Sequence, residues 1–233
     1  MREILNIQNL SVTFRSKGGT VYALKNICFS LNEGDILALA GESGSGKSTV
    51  ANALVGLVPW ESGGTYTLFG KNINPYQKKS FSIVRSKMQM AFQDPYSSLN
   101  PRNTVLEIIT APLTARGISK NEAWKKAKKM LDLVGLSNAD ANKFPHAFSG
   151  GQRQRIGLAR ALVLEPKILI CDEITSALDV SVQAQILHLL NDLRRELNLS
   201  LLFISHDIAV MEIIANRILR LKSGEIAHSR LFA

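Results

Sequence analysis

The chain opens with short β-rich runs separated by turns: "EILNIQNLSVTF", then "SKGG", then "YALKNICFSLNEGD", up to about Leu39. This pattern predicts antiparallel strands. It then gives way to brief continuous apolar runs, each passing directly into polar residues and a helical period. "ILALA" feeds into glycines and a helix from near Gly46. "KILICDE", Lys167 to Glu173, precedes a helix from about Val180 whose Val182, Ile186, Leu189, Leu193 and Leu197 share one face. "LSLLFISHD", Leu199 to Asp207, precedes "IAVMEIIA". Unbroken apolar runs suit strands covered on both faces, and strand–helix alternation predicts a parallel sheet flanked by helices.

Between Gln93 and about Leu162 the strands drop out. Helical segments separated by Pro112, Gly117, Gly135 and Pro145 take over, predicting a helical subdomain inserted into the α/β core. One of them, "KNEAWKKAKKMLDLVGL", places Ala123, Ala127, Met130, Leu131 and Val134 on one face and its lysines on the other, with Gly135 closing it. The lysine face reads as a solvated helix surface rather than a nucleic-acid patch. Composition changes little: 233 residues support one core, and a net charge of +9 suits an anionic substrate, a nucleic acid or a membrane surface alike. No run is long and apolar enough to span a membrane, and the start lacks the apolar stretch of a signal peptide, so a cytosolic protein is expected. Cys28 and Cys171 have no metal-ligand spacing and are expected to be buried thiols; the four histidines are scattered, and no metal cluster is suggested.

Specific chemistry enters at "GESGSGKST", Gly41 to Thr49, which fits G-x-x-x-x-G-K-[ST] between a strand and a helix. Gly41, Glu42, Ser43, Gly44, Ser45 and Gly46 form a loop whose backbone can wrap phosphates. Lys47 can reach the β- and γ-phosphates of ATP, and Ser48 and Thr49 open the helix, with the Ser48 hydroxyl placed for Mg²⁺. "ILICDE" ends in Asp172 and Glu173 at the carboxyl end of a strand, where open α/β sheets bind ligands. One carboxylate can hold Mg²⁺ and the other can polarise an attacking water, roles assigned to Asp172 and Glu173 in that order. Gln93 and His206 follow other strand-like runs and can reach the same γ-phosphate. A second anion-type segment, "FSGGQRQRIGLARAL", follows the first by about 100 residues and carries Ser149, Gly150, Gly151 and Gln152.

The set "GESGSGKST", "AFQD", "FSGGQRQRIGLARAL", "KILICDE", "SALD" and "ISHD", in that order, resembles the ATP-binding subunit of ABC transporters over essentially the whole chain. The resemblance implies an α/β fold: a P-loop ABC ATPase with a RecA-like parallel-sheet core, an N-terminal antiparallel β subdomain and an inserted helical subdomain. It implies one domain over 1–233, with 1–92 and 163–233 as the core and β subdomain and 93–162 as the helical part. It also explains two anion sites in one chain, since two such subunits pack head to tail with each ATP between the P-loop of one and the SGGQ loop of the other. By the same resemblance, Gln93 contacts Mg²⁺ and water and signals to the membrane partner, and Glu173 and His206 serve hydrolysis. "SALD", Ser176 to Asp179, crosses the dimer interface. Phe14 is the favoured aromatic to stack on adenine, with Tyr22 as the alternative. Two positions depart from the family pattern: Phe148 replaces the usual Leu before SGGQ, and Ile174 replaces the usual Pro after Asp-Glu.

"FQDPYSSLNPR", Phe92 to Arg102, and "SALDVSVQAQIL", Ser176 to Leu187, resemble the bacterial oligopeptide, dipeptide and nickel importers. That branch implies a second, different ATPase chain, two permease subunits and an extracytoplasmic solute-binding protein. It places the chain at the cytoplasmic face of the cell membrane, with no nucleic-acid partner. The short end "SGEIAHSRLFA" resembles the nickel importers more, so nickel is the expected cargo and di- or oligopeptide the alternative. A non-transport ABC ATPase or a non-hydrolysing module is disfavoured by the short gap between P-loop and SGGQ and by the presence of Glu173 and His206.

Overall fold

The computed structural model describes residues 2–16, 18–93 and 98–231. Residues 94–97, inside the importer-like stretch after Gln93, lie outside the described residues. Two sheets organise the chain. The N-terminal strands β1 (Glu3–Ser16) and β2 (Gly19–Asn32) form a long antiparallel pair. β4 (Thr65–Leu68) and β5 (Lys71–Ile73) extend it to the order β2-β1-β4-β5. The second sheet has β3 (Ile36–Ala40), β6 (Met88–Ala91), β7 (Ile168–Asp172), β8 (Ser200–Ser205), β9 (Arg217–Lys222) and β10 (Glu225–Leu231) in the order β10-β9-β3-β8-β7-β6. Its pairs are parallel except β10 on β9.

The unbroken apolar runs have a simple cause. In β3, Ile36, Ala38 and Ala40 face one core, while Leu37 and Leu39 face the other. β7 divides likewise into Leu169 and Cys171 against Ile168 and Ile170, and β8 into Leu201 and Phe203 against Leu202 and Ile204. Alternate side chains leave opposite faces of a strand, so a sheet buried on both sides needs apolar residues at every position. One core lies under the helices and the other under the antiparallel sheet.

Among the described residues, the α-helices seen from end to end are α1 (Lys47–Leu54), α2 (Phe81–Lys87), α3 (Val105–Thr114), α4 (Lys120–Leu133), α5 (Gly150–Leu162), α6 (Val180–Leu197) and α7 (Ile208–Ile214). Helices α3, α4 and α5 pack together. On α4 the predicted stripe is buried from Ala123 to Leu131, Val134 follows it into the core, and Gly135 turns the chain at φ +71°. Thr104 and Ser119 cap α3 and α4 with their hydroxyl oxygens.

Two expectations are corrected. Pro112 does not separate helices but lies inside α3, two residues before its end. So near the terminus a missing amide donor breaks only one bond of the ladder, and the Ala115 amide still donates to Ala111. Cys28 is exposed, whereas Cys171 is buried as expected. On β2 the neighbours Ile27 and Phe29 point into the core, so the pleat turns Cys28 outward.

Candidate functional site

The strands of the second sheet end nearly level. Ala40 pairs with Ser205 and Asp172 with Ile204, so Gly41, Glu173 and His206 leave three neighbouring strands side by side. Gln93 follows β6, whose Ala91 pairs with Cys171. Level parallel strands thus gather residues that are more than 160 positions apart.

The P-loop folds tightly around its own lysine. Gly46 caps α1 in the left-handed region at φ +107°, and a Cβ there would lie 2.8 Å from the Ala23 carbonyl oxygen, so no larger residue fits. Lys47 is buried, and its Nζ donates to the carbonyls of Gly41 (2.7 Å) and Glu42 (2.9 Å). The same ammonium lies 3.6 Å from Glu173 Oε1. The Ser48 hydroxyl donates to Asp172 Oδ1 at 3.2 Å. Burial, and secondarily the neighbouring Glu173 charge, push the Asp172 carboxyl above its ordinary range, while the Ser48 bond and the Lys47 charge pull against this.

Glu173 is the hub. Gln93 Nε2 donates to its Oε2 at 3.2 Å, and His206 Nδ1 lies 3.4 Å from the same oxygen. Its backbone is left-handed at φ +47°, a conformation that costs an ordinary residue about 1–2 kcal/mol. Three bonds hold it: the Glu173 amide donates to the Ile204 carbonyl, and its carbonyl accepts from both the amide and the hydroxyl of Ser176. Ile174, where proline was usual, is buried in the helical-side core and anchors the turn by packing.

A cleft of about 550 Å³ opens over these groups, within the range of small-ligand sites. Tyr22, Lys25, Gly44, Lys47, Gln93 and Glu173 are among its walls. Phe14 is exposed on β1 opposite Val21, and it is Tyr22, paired across from Thr13, that lines the cleft. Neither α1 nor α5 has an acid in its first turn, whereas α3 and α4 carry Glu107 and Glu122 there. The positive ends of α1 and α5 are therefore left uncompensated, which suits an anion.

The Ser149–Gln152 segment is not brought to the P-loop cleft of its own chain. It forms a capping box: the Ser149 hydroxyl accepts from the Gln152 amide, and the Gln152 side-chain oxygen accepts from the Ser149 amide. A Cβ on Gly151 would fall 2.4 Å from Val182 Cγ1, so this glycine lets α5 approach α6. The arginines of α5 point into the protein. Arg153 donates to the Pro145 carbonyl, Arg155 to that of Val134 and Arg160 to that of Ser98. Sequence reasoning gave them no role, because their inward contacts are visible only in the fold. It also missed Thr175, buried directly after Ile174, which accepts from Gln183 Nε2 at 3.4 Å.

A parallel sheet whose strand ends carry a phosphate-binding loop, a hydroxyl–carboxylate pair and a polarised glutamate defines a P-loop ATPase. The family follows from comparison: residues 24–176 match the model of the ABC transporter family, and the chain belongs to it. It is 47% identical to the oligopeptide transport ATP-binding protein OppF of Escherichia coli over 232 residues, covering 95% of this chain and 69% of that one. OppF of Haemophilus influenzae is 44% identical, with 95% and 70% covered. Among solved structures, the ATP-binding cassette MJ0796 in a dimeric post-hydrolysis state bound to ADP and Pi superposes with a TM-score of 0.86 at 32% identity, with 99% of both chains covered. cbiO1 of Clostridium perfringens, part of the transporter complex cbiONQ, gives 0.86 at 28%, with 98% of this chain and 88% of that one covered. The chain is thus an ABC transporter ATPase domain.

Proposed function

We propose that this ATPase powers import of di- or oligopeptides. The observation that carries the cargo is the likeness to OppF proteins over nearly the whole chain. Those names favour peptides over nickel, which the sequence had put first. In this reading ATP lies along the cleft. Lys47 exchanges its Gly41 and Glu42 carbonyls for phosphate oxygens, and the amides at the start of α1 complete the cradle. Ser48, Asp172 and Gln93 have the oxygen chemistry to hold Mg²⁺, which neutralises phosphate charge when bound. Glu173 orients and polarises the attacking water, and His206, held by the same carboxylate, stays beside the γ-phosphate. Tyr22 and Phe14 are the two aromatics available to adenine, and Tyr22 has the position on the cleft wall.

Ser149 and the amides of Gly150 and Gly151 face a second copy or a related ATPase chain and bind that partner's ATP, as a head-to-tail dimer requires. The dimeric state of MJ0796 supports this pairing. Two permease subunits and a solute-binding protein complete the machine at the cytoplasmic face of the membrane. Glu173→Gln tests the reading in cells and in vitro. It should abolish ATP hydrolysis while ATP still binds, and it should stop uptake of labelled dipeptide without altering uptake of labelled nickel. Loss of nickel uptake alone would return the cargo to nickel.

A further inference from the structure

Beside the nucleotide cleft lies a second one of about 420 Å³. It shares Ser43, Gly44 and Ser223 with the first, but none of Lys47, Ser48, Gln93 and Glu173. Arg220, Lys222 and His228 stand on its walls, all three exposed. The strands explain how they meet. Pairing of β9 with β10 steps from Leu221–Ile226 to Arg220–His228, so Ala227 is the extra residue of a β-bulge. Without the bulge Ala227 would stand opposite Arg220. With it, a guanidinium and an imidazole share one face of the pair, and neither can neutralise the other. Lys222 does have an acid opposite it, Glu225, but that carboxylate is taken by Lys25 at 3.3 Å. Among the described residues, none of the side chains of Arg220, Lys222 and His228 has an ion pair or a hydrogen bond. Ser45, buried in the same wall, has a hydroxyl without a hydrogen-bond partner. The acid on these walls is Glu42, one carboxylate against three basic groups.

We propose that this cleft binds inorganic phosphate, at a site separate from the γ-phosphate position of the nucleotide cleft. A guanidinium offers a fork of parallel donors to a tetrahedral oxyanion, an ammonium adds a point charge, and the imidazole adds a further donor. A buried hydroxyl without a partner also favours a ligand that can accept from it. A nucleotide suits these walls less well. Leu221 and Ala227 are their apolar side chains, and no Phe, Tyr or Trp is there to cover a base. The adjoining ATPase cleft releases inorganic phosphate at every turnover, so the anion is at hand. The inference goes beyond the transport reading and holds whichever cargo is carried.

The test is equilibrium dialysis of radiolabelled inorganic phosphate against the chain with its nucleotide cleft saturated with ADP and Mg²⁺. It compares the wild type with two variants of equal net charge: Arg220→Gln with Lys222→Gln, and Lys125→Gln with Lys128→Gln on α4. The α4 variant should bind phosphate as the wild type does. The Arg220 and Lys222 variant should bind it at least about tenfold more weakly. Affinity for ADP, measured on the same preparations, should be equal in all three, and it reports the ATPase reading independently. Absence of phosphate binding to the wild type overturns the proposal. So does equal affinity in all three chains, which would leave phosphate at the γ-position alone. Equal loss in both variants also overturns it, since net charge alone would then attract the anion. Unchanged phosphate binding with loss of ATP-dependent dimerisation in the Arg220 and Lys222 variant would instead give the cluster to an acidic group of the partner subunit.

Discussion

Glu173 carries three side-chain contacts on one carboxylate while its own backbone sits in a conformation that side-chain-bearing residues avoid. Ile174 is the residue that packing holds next to it. Ile174→Ala should cost about 2–5 kcal/mol of stability by opening a cavity, read from denaturant midpoints. Because the left-handed turn loses its anchor, the turnover number should also fall more than the Michaelis constant for ATP changes. An unchanged turnover number in the folded fraction would make Ile174 a packing residue only. Gly151 makes a second residue-scale prediction. Gly151→Ala drives a methyl against Val182 and should cost about 1–3 kcal/mol. The double variant with Val182→Ala should recover most of it in thermal melts. No recovery would mean that the Gly151 requirement lies elsewhere than in this contact.

At the scale of elements, caps decide where helices begin. Asp179 starts α6: its Oδ1 accepts from the Val182 amide at 2.9 Å and the Ser181 hydroxyl at 2.8 Å, and these bonds hold its carboxyl below the usual carboxylate range. A depressed carboxyl stabilises the fold above its unfolded pKa and loses that contribution as pH falls through its folded pKa. Asp179→Asn keeps an acceptor but does not titrate. Its stability should therefore fall less on acidification than that of the wild type, in melts recorded from neutral pH downward. Parallel curves would exclude the cap as a titrating contributor. The legibility of the elements follows the same physics. β3, β7 and β8 were readable because burial on both faces leaves no polar position, and α4 and α6 because one apolar stripe faces the core. β4, β5 and α2 were not: they are three to seven residues long, and Thr65, Lys71 and Lys87 put polar residues throughout. Cys28 was misjudged because a single residue inside an apolar run does not declare which face of the strand it occupies.

At the scale of the molecule, the candidate site was largely legible because its motifs lie at strand ends, where loop residues escape packing constraints. The mutual geometry was not legible. That Gln93, His206 and Lys47 all converge on Glu173 comes from strand order, and strand order is not written in any one segment. The Ser149–Gln152 segment does not line the cleft of its own chain, so the whole-molecule prediction concerns association. The Glu173→Gln chain with ATP should elute at higher mass than with ADP, either alone or with its companion ATPase, in size exclusion with light scattering. Equal mass with both nucleotides would count against ATP as the bridge between subunits.

The level endings of β3, β7 and β8 make the site sensitive to parity. Inserting or deleting one residue at the start of β8 would leave its apolar composition nearly intact, yet every side chain downstream would switch faces. His206 would then leave Glu173, and Phe203 and Ile204 would exchange cores. An insertion of two would restore the facing but carry His206 about 7 Å beyond its partner. The strands therefore work as counted spacers, tolerant of which apolar residue fills each step and intolerant of the number of steps.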